Sequence, residues 1–119
     1  MPNERILLLE DHAETREQTA HVLVDAGYQT QAVATGAEAI ELARREPFDV
    51  LIADVYLPDF TGIEAFQQIR VFRPDISGIV VTFYSSWELA LDALRSGFVS
   101  FLVKPVVPEQ LLAAIVSAL

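Results

Sequence analysis

Five runs of strand length recur along the chain, and each is followed by a segment with helical spacing. This alternation limits the fold more tightly than any other feature. Strand–helix units joined by short connections build a parallel sheet with helices on its faces. Arg5–Leu9 (RILLL) is a short apolar run, and residues 12–26 follow with Ala20, Leu23 and Ala26 on one helical face before Gly27. Residues 28–33 (YQTQAV) alternate with period two, which reads as a strand with one wet face at a sheet edge. Residues 35–45 form a short helix with Ala39, Ile40 and Ala43 inward, closed by Pro47.

The pattern repeats with residues 49–54 as a third strand and 61–72 as a helix that directs Ile63, Phe66 and Ile69 to one side. Phe66 and Phe72 are expected in the core. Residues 78–82 (GIVVT) are the fourth strand. A helix over 86–96 carries apolar Leu89, Ala90, Ala93 and Leu94 and ends at Gly97. Ser100–Val103 is the fifth strand. Pro108 sits in the first turn of the last helix, where its missing N–H is harmless. Leu111, Leu112, Ile115, Val116 and Leu119 form the apolar stripe of that helix. The expected fold is α/β: one doubly wound (βα)5 domain, with the apolar strands central and right-handed crossovers placing helices on both faces.

Composition narrows the class. A chain of 119 residues with 52% hydrophobic content supports one domain with a real core. Cysteine is absent, which excludes a disulfide framework and a thiolate metal site and suits a reducing cytoplasm. No window approaches the ~20 apolar residues of a membrane span. The net charge of −9 repels phosphate backbones and anionic lipid, which argues against nucleic-acid or membrane partners for this segment.

The stretch FDVLIADVYLP (48–58) then poses a question, because an aspartate, Asp54, ends a run otherwise built for burial. In open parallel sheets, ligands bind outside the carboxyl ends of the strands. Glu10 and Asp11 follow the first strand, Asp54 ends the third, Thr82 the fourth, and Lys104 the fifth. The topology therefore gathers three carboxylates, a hydroxyl and an ammonium on one sheet edge. Crowded carboxylates repel, and a divalent cation relieves this. Hard oxygen ligands favour Mg²⁺ over zinc. A lysine and a threonine suit a phosphoryl group, and an aspartate can act as nucleophile towards it. Each residue alone has a plainer reading, with Glu10–Asp11 as a helix-start pair, Asp54 as a loop cap and Lys104–Pro105 as a surface turn. Their joint placement favours the site. His12 and His21 read as solvated helix residues, and Trp87 as either core or partner surface.

With ILLLED (6–11), LIADVYLPDFTG (51–62), IVVTFY (79–84) and SFLVKP (100–105) in this order, the chain resembles the receiver domain of bacterial two-component response regulators. The stretch TFYSSWELALDALRSGFVSFLVKP (82–105) is most similar to receivers of the nitrogen-regulator type and those attached to sensor kinases. The resemblance implies a flavodoxin-like sheet of order 2-1-3-4-5 and residue roles. Asp54 would accept a phosphoryl group from a histidine kinase or phosphotransfer domain. Glu10, Asp11, Asp54 and the carbonyl of Tyr56 would hold Mg²⁺. Thr82 and Lys104 would bind the phosphoryl oxygens, Phe101 would be the aromatic switch residue, and the Lys104–Pro105 peptide would be cis. Pro58 and Gly62 match the loop after the phosphorylation site.

The function implied is a cytoplasmic phosphorylation-controlled switch, not an enzyme beyond Mg²⁺-dependent self-phosphorylation and slow self-dephosphorylation. It would be read at the face of helix four, strand five and helix five by an output domain or partner. Charged pairs on that face are sparse (Glu88, Asp92, Arg95, Glu109), so a homodimer there is expected to be weak at most. Departures from the family pattern stand at Phe83 and Phe98, where small residues are usual, and at Phe101, which lacks a tyrosine hydroxyl. The alternative is a pseudo-receiver, an unphosphorylated interaction module in which Phe83 restricts the site. A phosphatase on this fold would want an acid at position 56, which is tyrosine, and the acidic EDHAET would repel a nucleotide phosphate. Tyr56 and Tyr84 flank the pocket and are expected to shield it from water. The domain is expected to span 1–119 and, ending at apolar Leu119, to be cut from a longer protein.

Overall fold

The structure is a computed structural model that describes residues 4–83 and 86–119. Five strands and five helices alternate: β1 (Arg5–Leu9), α1 (Ala13–Asp25), β2 (Gln29–Val33), α2 (Gly36–Arg45), β3 (Val50–Ala53), α3 (Gly62–Phe72), β4 (Ser77–Thr82), α4 (Trp87–Arg95), β5 (Ser100–Val103) and α5 (Pro108–Ala118). All strand pairs are parallel, and the sheet order is β2-β1-β3-β4-β5. The apolar strands β1, β3 and β4 are central, and β2, with its two glutamines exposed, lies at one edge.

Every residue of β3 is buried, because helices cover both faces of the sheet. One core gathers Leu7, Leu9, Leu51, Phe66, Ile69 and Val80 beneath α2, α3 and α4. The other gathers Ile6, Leu8, Leu23, Ile52, Ile79 and Ile115 beneath α1 and α5. Alternate residues of one strand feed opposite cores, as the two-residue period of a strand requires. The ends of the helices follow from local chemistry. Thr61 and Glu64 form a reciprocal capping box at the start of α3. Thr35 caps α2 through the Glu38 amide, and Ser86 caps α4 through the Leu89 amide.

The bulk of Phe98 is accommodated across the sheet. Phe98 is buried, and its ring centroid lies 4.2 Å from that of Phe66. Gly78 makes room for both rings, since a Cβ there would lie 2.7 Å from Phe98 and 2.8 Å from Phe66.

Several apolar side chains are exposed or half-buried, and for Trp87, open between core and partner surface, the core is excluded. Trp87 is 72% exposed and Leu94 is 55% exposed, so α4 buries only its Ala93 side against the sheet. On α5, Leu111 and Ile115 are buried, whereas Val116 and Leu119 point to solvent. The contact face of α5 is narrower than its apolar stripe: Leu112, Ala114 and Ala118 pack partly against the core beside the buried i, i+4 pair of Leu111 and Ile115. Phe72 is half-buried, with the Arg44 guanidinium 4.7 Å from its ring centroid.

Candidate functional site

Backbone ladders carry the site residues to the sheet's C-terminal edge. Beyond β1, the Glu10 amide donates to the Val33 carbonyl at 3.0 Å. The Asp54 amide donates to the Leu9 carbonyl at 3.0 Å, and the Lys104 amide to the Thr82 carbonyl at 2.8 Å. Each strand thus continues its pairing by one residue, and that residue bears the functional group. Gly62 brings the start of α3 against the same edge: a Cβ there would lie 2.1 Å from the Asp54 carbonyl oxygen.

The side chains converge. Lys104 Nζ donates to Asp54 Oδ2 at 2.7 Å and to Glu10 Oε1. Its side chain and that of Glu10 are each 5% exposed, and that of Asp54 is 12% exposed. Oxygen atoms of Glu10, Asp11 and Asp54 lie within 4.8 Å of one another, with Asp11 at the solvent side. The Glu10 Oε2 accepts the His12 amide at 3.1 Å, and Asp54 Oδ1 accepts the Tyr56 amide at 3.2 Å. The Tyr56 amide thereby orients the central carboxylate, while the Tyr56 ring is half exposed. Thr82 is fully buried at the end of β4. Phe101 pairs with Val80 and is half-buried against the α3 side of the core. The Lys104–Pro105 peptide is cis.

Electrostatics match this geometry. Burial alone would pull the Lys104 ammonium down, but the Asp54 and Glu10 carboxylates outweigh it and hold its pKa above the usual value. Burial pushes Glu10 up, helped by repulsion from Asp54, against the opposing pull of Lys104 and the His12 amide. Two carboxylates share the Lys104 ammonium and that of Asp11 lies beside them, so the cluster keeps an excess of negative charge that suits a hard cation. A cavity of about 340 Å³ opens beside it, walled by α1 and the segment after β5. Phe83 stands at its mouth, 64% exposed, with Lys104 Nζ 5.2 Å from the ring centroid.

The structure therefore brings together Glu10, Asp11, Asp54 and Lys104, places Thr82 and Tyr56 beside them, and sets Phe101 on β5 two strand positions below Thr82. Tyr84 lies outside the described residues. His12 is the N-cap of α1 and accepts the Thr15 amide through Nδ1; His21 is exposed. Two residues that the pattern of the sequence did not mark also shape the site. Arg16 Nη1 donates to the Glu10 carbonyl at 2.9 Å and the Asp11 carbonyl at 3.2 Å. Asp59, in the loop after Asp54, accepts the Gly36 and Ala37 amides at 3.1 and 2.9 Å and so caps α2 a second time. A lone arginine in the acidic stretch EDHAETREQ was the only available signal for the first. Nothing local in the sequence pairs Asp59 with residues more than twenty positions away.

A five-stranded parallel sheet with an acidic cluster and a lysine at this edge is the arrangement of a signalling receiver. The chain belongs to the response regulator receiver domain family, which matches residues 6–116. It is 34% identical over 107 residues to the alginate biosynthesis transcriptional regulatory protein AlgB of Pseudomonas aeruginosa, covering 90% of this chain and 24% of that protein. It is 29% identical over 112 residues to the chemotaxis protein CheY of Thermotoga maritima, covering 93% of each. The solved structure of the chemotaxis protein CheY4 of Vibrio cholerae superposes with a TM-score of 0.92 at 32% identity, covering 98% of each chain. The chain thus spans about a quarter of the length of its AlgB relatives. Among the described residues, no helix is long and apolar enough to cross a membrane.

Proposed function

We propose that this receiver is a phosphorylation-controlled switch whose acceptor is Asp54. The observation that carries the reading is the Lys104 ammonium bound by both Asp54 and Glu10 while Asp11 lies within 4.8 Å of both carboxylates. A purely structural ion pair needs one acid; here a second buried carboxylate and a third at the solvent side leave negative charge facing one gap.

The donor set is all oxygen, from Glu10, Asp11 and Asp54 with the Tyr56 carbonyl on the same loop, and this chemistry fits Mg²⁺. When bound, Mg²⁺ supplies charge neutralisation to the phosphoryl oxygens. The chain's own residues do the rest. Asp54 attacks phosphorus through a carboxylate oxygen; the new O–P bond forms as the P–N bond to the donor histidine breaks, and the imidazole leaves with its electron pair. The Tyr56 amide holds the attacking carboxylate in orientation. Lys104 exchanges its contact with Asp54 for the incoming phosphoryl oxygens, and the Thr82 hydroxyl follows. Phe101, half-buried two strand positions below, shifts with Thr82. The exposed apolar side chains of Trp87, Leu94, Val103, Val107 and Val116 lie on α4, β5 and α5 or the loop between, a surface suited to an output domain or partner.

Tyr56 slows hydrolysis of the acyl phosphate by screening it from water. Catalysis beyond self-phosphorylation and slow self-dephosphorylation is not expected, because position 56 offers no acid. Incubation with Mg²⁺ and acetyl phosphate, followed by intact mass measurement, tests the proposal. One added phosphate that Asp54→Asn abolishes supports it. A chain that gains none, yet gains one as Phe83→Ala, supports the pseudo-receiver reading, which rests on the Phe83 ring at the cavity mouth.

A further inference from the structure

The Asp11 carboxylate is exposed, and among the described residues it accepts no hydrogen bond that would aim it. Glu10 and Asp54, by contrast, are each held by a backbone amide and by Lys104. The direction of the Asp11 side chain therefore depends on the backbone that carries it. Besides the sheet pairing of the Glu10 amide and the His12 amide on Glu10 Oε2, that backbone is fastened from α1. The Arg16 amide donates to the His12 carbonyl at 2.9 Å, and the Arg16 guanidinium reaches back six residues to bridge the carbonyls of Glu10 and Asp11. One residue of α1 thus holds three successive carbonyls of the loop.

We propose that Arg16 is a positioning residue for the cation site: by clamping the Glu10 and Asp11 carbonyls it keeps the Asp11 carboxylate directed into the gap it shares with Glu10 and Asp54. The inference rests on reading that cluster as a divalent-cation site. Two effects of Arg16 oppose each other. Its positive charge repels an approaching cation, while its hydrogen bonds preorganise a ligand. Groups that orient metal ligands typically change affinity by about 10–100-fold when removed. The guanidinium charge acts through a partly solvated path, where screening weakens it. The tether should win, so loss of Arg16 should weaken cation binding even though it removes a repelling charge.

Calorimetric titration of the full chain with MgCl₂, with melting followed by circular dichroism to show that each protein is folded at the titration temperature, separates these effects. Arg16→Gln is expected to bind Mg²⁺ about tenfold more weakly than the wild type. Arg16→Lys, which keeps the charge and one donor, should fall between them. A folded Arg16→Gln that binds Mg²⁺ as tightly as the wild type, or more tightly, overturns the proposal. If Arg16→Gln does not fold, Arg16→Lys decides: weaker binding supports the tether, and equal binding overturns it. Wild-type protein that binds no Mg²⁺, with Asp11→Asn indistinguishable from it, overturns the cation-site reading itself and this inference with it.

Discussion

Replacing Lys104 by methionine tests the central electrostatic claim. The substitution keeps the volume and the aliphatic stem but leaves Glu10 and Asp54 facing each other in a site where both side chains are almost wholly buried. Removing one partner of a buried ion pair costs about 3–5 kcal/mol, because the remaining charge stays desolvated. Two charge-assisted hydrogen bonds are lost here, each worth about 1.5–3 kcal/mol, so the upper part of that range is expected. The penalty has a defined pH dependence. Glu10 already titrates above the ordinary carboxylate range, chiefly through burial, and without Lys104 it must rise further. A carboxyl whose pKa is higher folded than unfolded binds protons preferentially in the folded state, so its contribution to stability falls as pH rises through the folded pKa. The gap between wild type and Lys104→Met should therefore be about 3–5 kcal/mol near pH 8 and smaller at an acidic pH below the raised folded pKa of Glu10, where that carboxyl has taken up a proton. Urea unfolding of both proteins at the two pH values measures it. A gap under about 1 kcal/mol near pH 8, or one that widens on acidification, would refute the buried-pair account.

Three further outcomes are expected. Asp59→Ala removes the second cap of α2 and should destabilise the protein by about 1 kcal/mol in urea unfolding; burial is the largest single influence on the Asp59 carboxyl and pushes it up, but the surrounding backbone amides together hold it below its usual range, so that contribution is present above the ordinary aspartate pKa and lost as pH falls through the folded one. Gly62→Ala would drive a methyl to 2.1 Å from the Asp54 carbonyl oxygen, so it should cost more than about 1–3 kcal/mol and also slow phosphorylation of the displaced Asp54, read by thermal melts and intact mass. Phe83→Ala should raise the rate of labelling by acetyl phosphate while leaving stability within about 1 kcal/mol, because the ring is largely exposed and contributes mainly a cation–π contact with Lys104.

The strands were legible because β1, β3 and β4 are short apolar runs punctuated by acids and glycines, and parallel-sheet topology then dictates that their C-terminal neighbours share an edge. Strand β4 begins at Ser77, one residue before the expected start; Ser77 pairs with Val50, and its hydroxyl donates to the Ala118 carbonyl, a partner that lies 41 residues away and leaves no local trace. The same reason hid Asp59, whose partners are Gly36 and Ala37. Arg16 went unmarked because its value lies in reaching backbone carbonyls, which every residue possesses and no sequence pattern singles out. The exposure of Val116 and Leu94 shows the converse. Apolar spacing marks a stripe, but only the packed neighbour decides how wide a stripe it covers.

The ring pair of Phe66 and Phe98 over Gly78 carries a consequence for how such a sequence can drift. The three sites form one steric unit spanning α3, β4 and the turn before β5, so none is free to vary alone. A methyl at 78 becomes admissible only after residue 98 shrinks and the Phe66 ring gives way, and a shrunken residue 98 leaves a void until 78 enlarges. Related sequences should accordingly trade bulk between these two places, a large residue in one accompanying a small residue in the other.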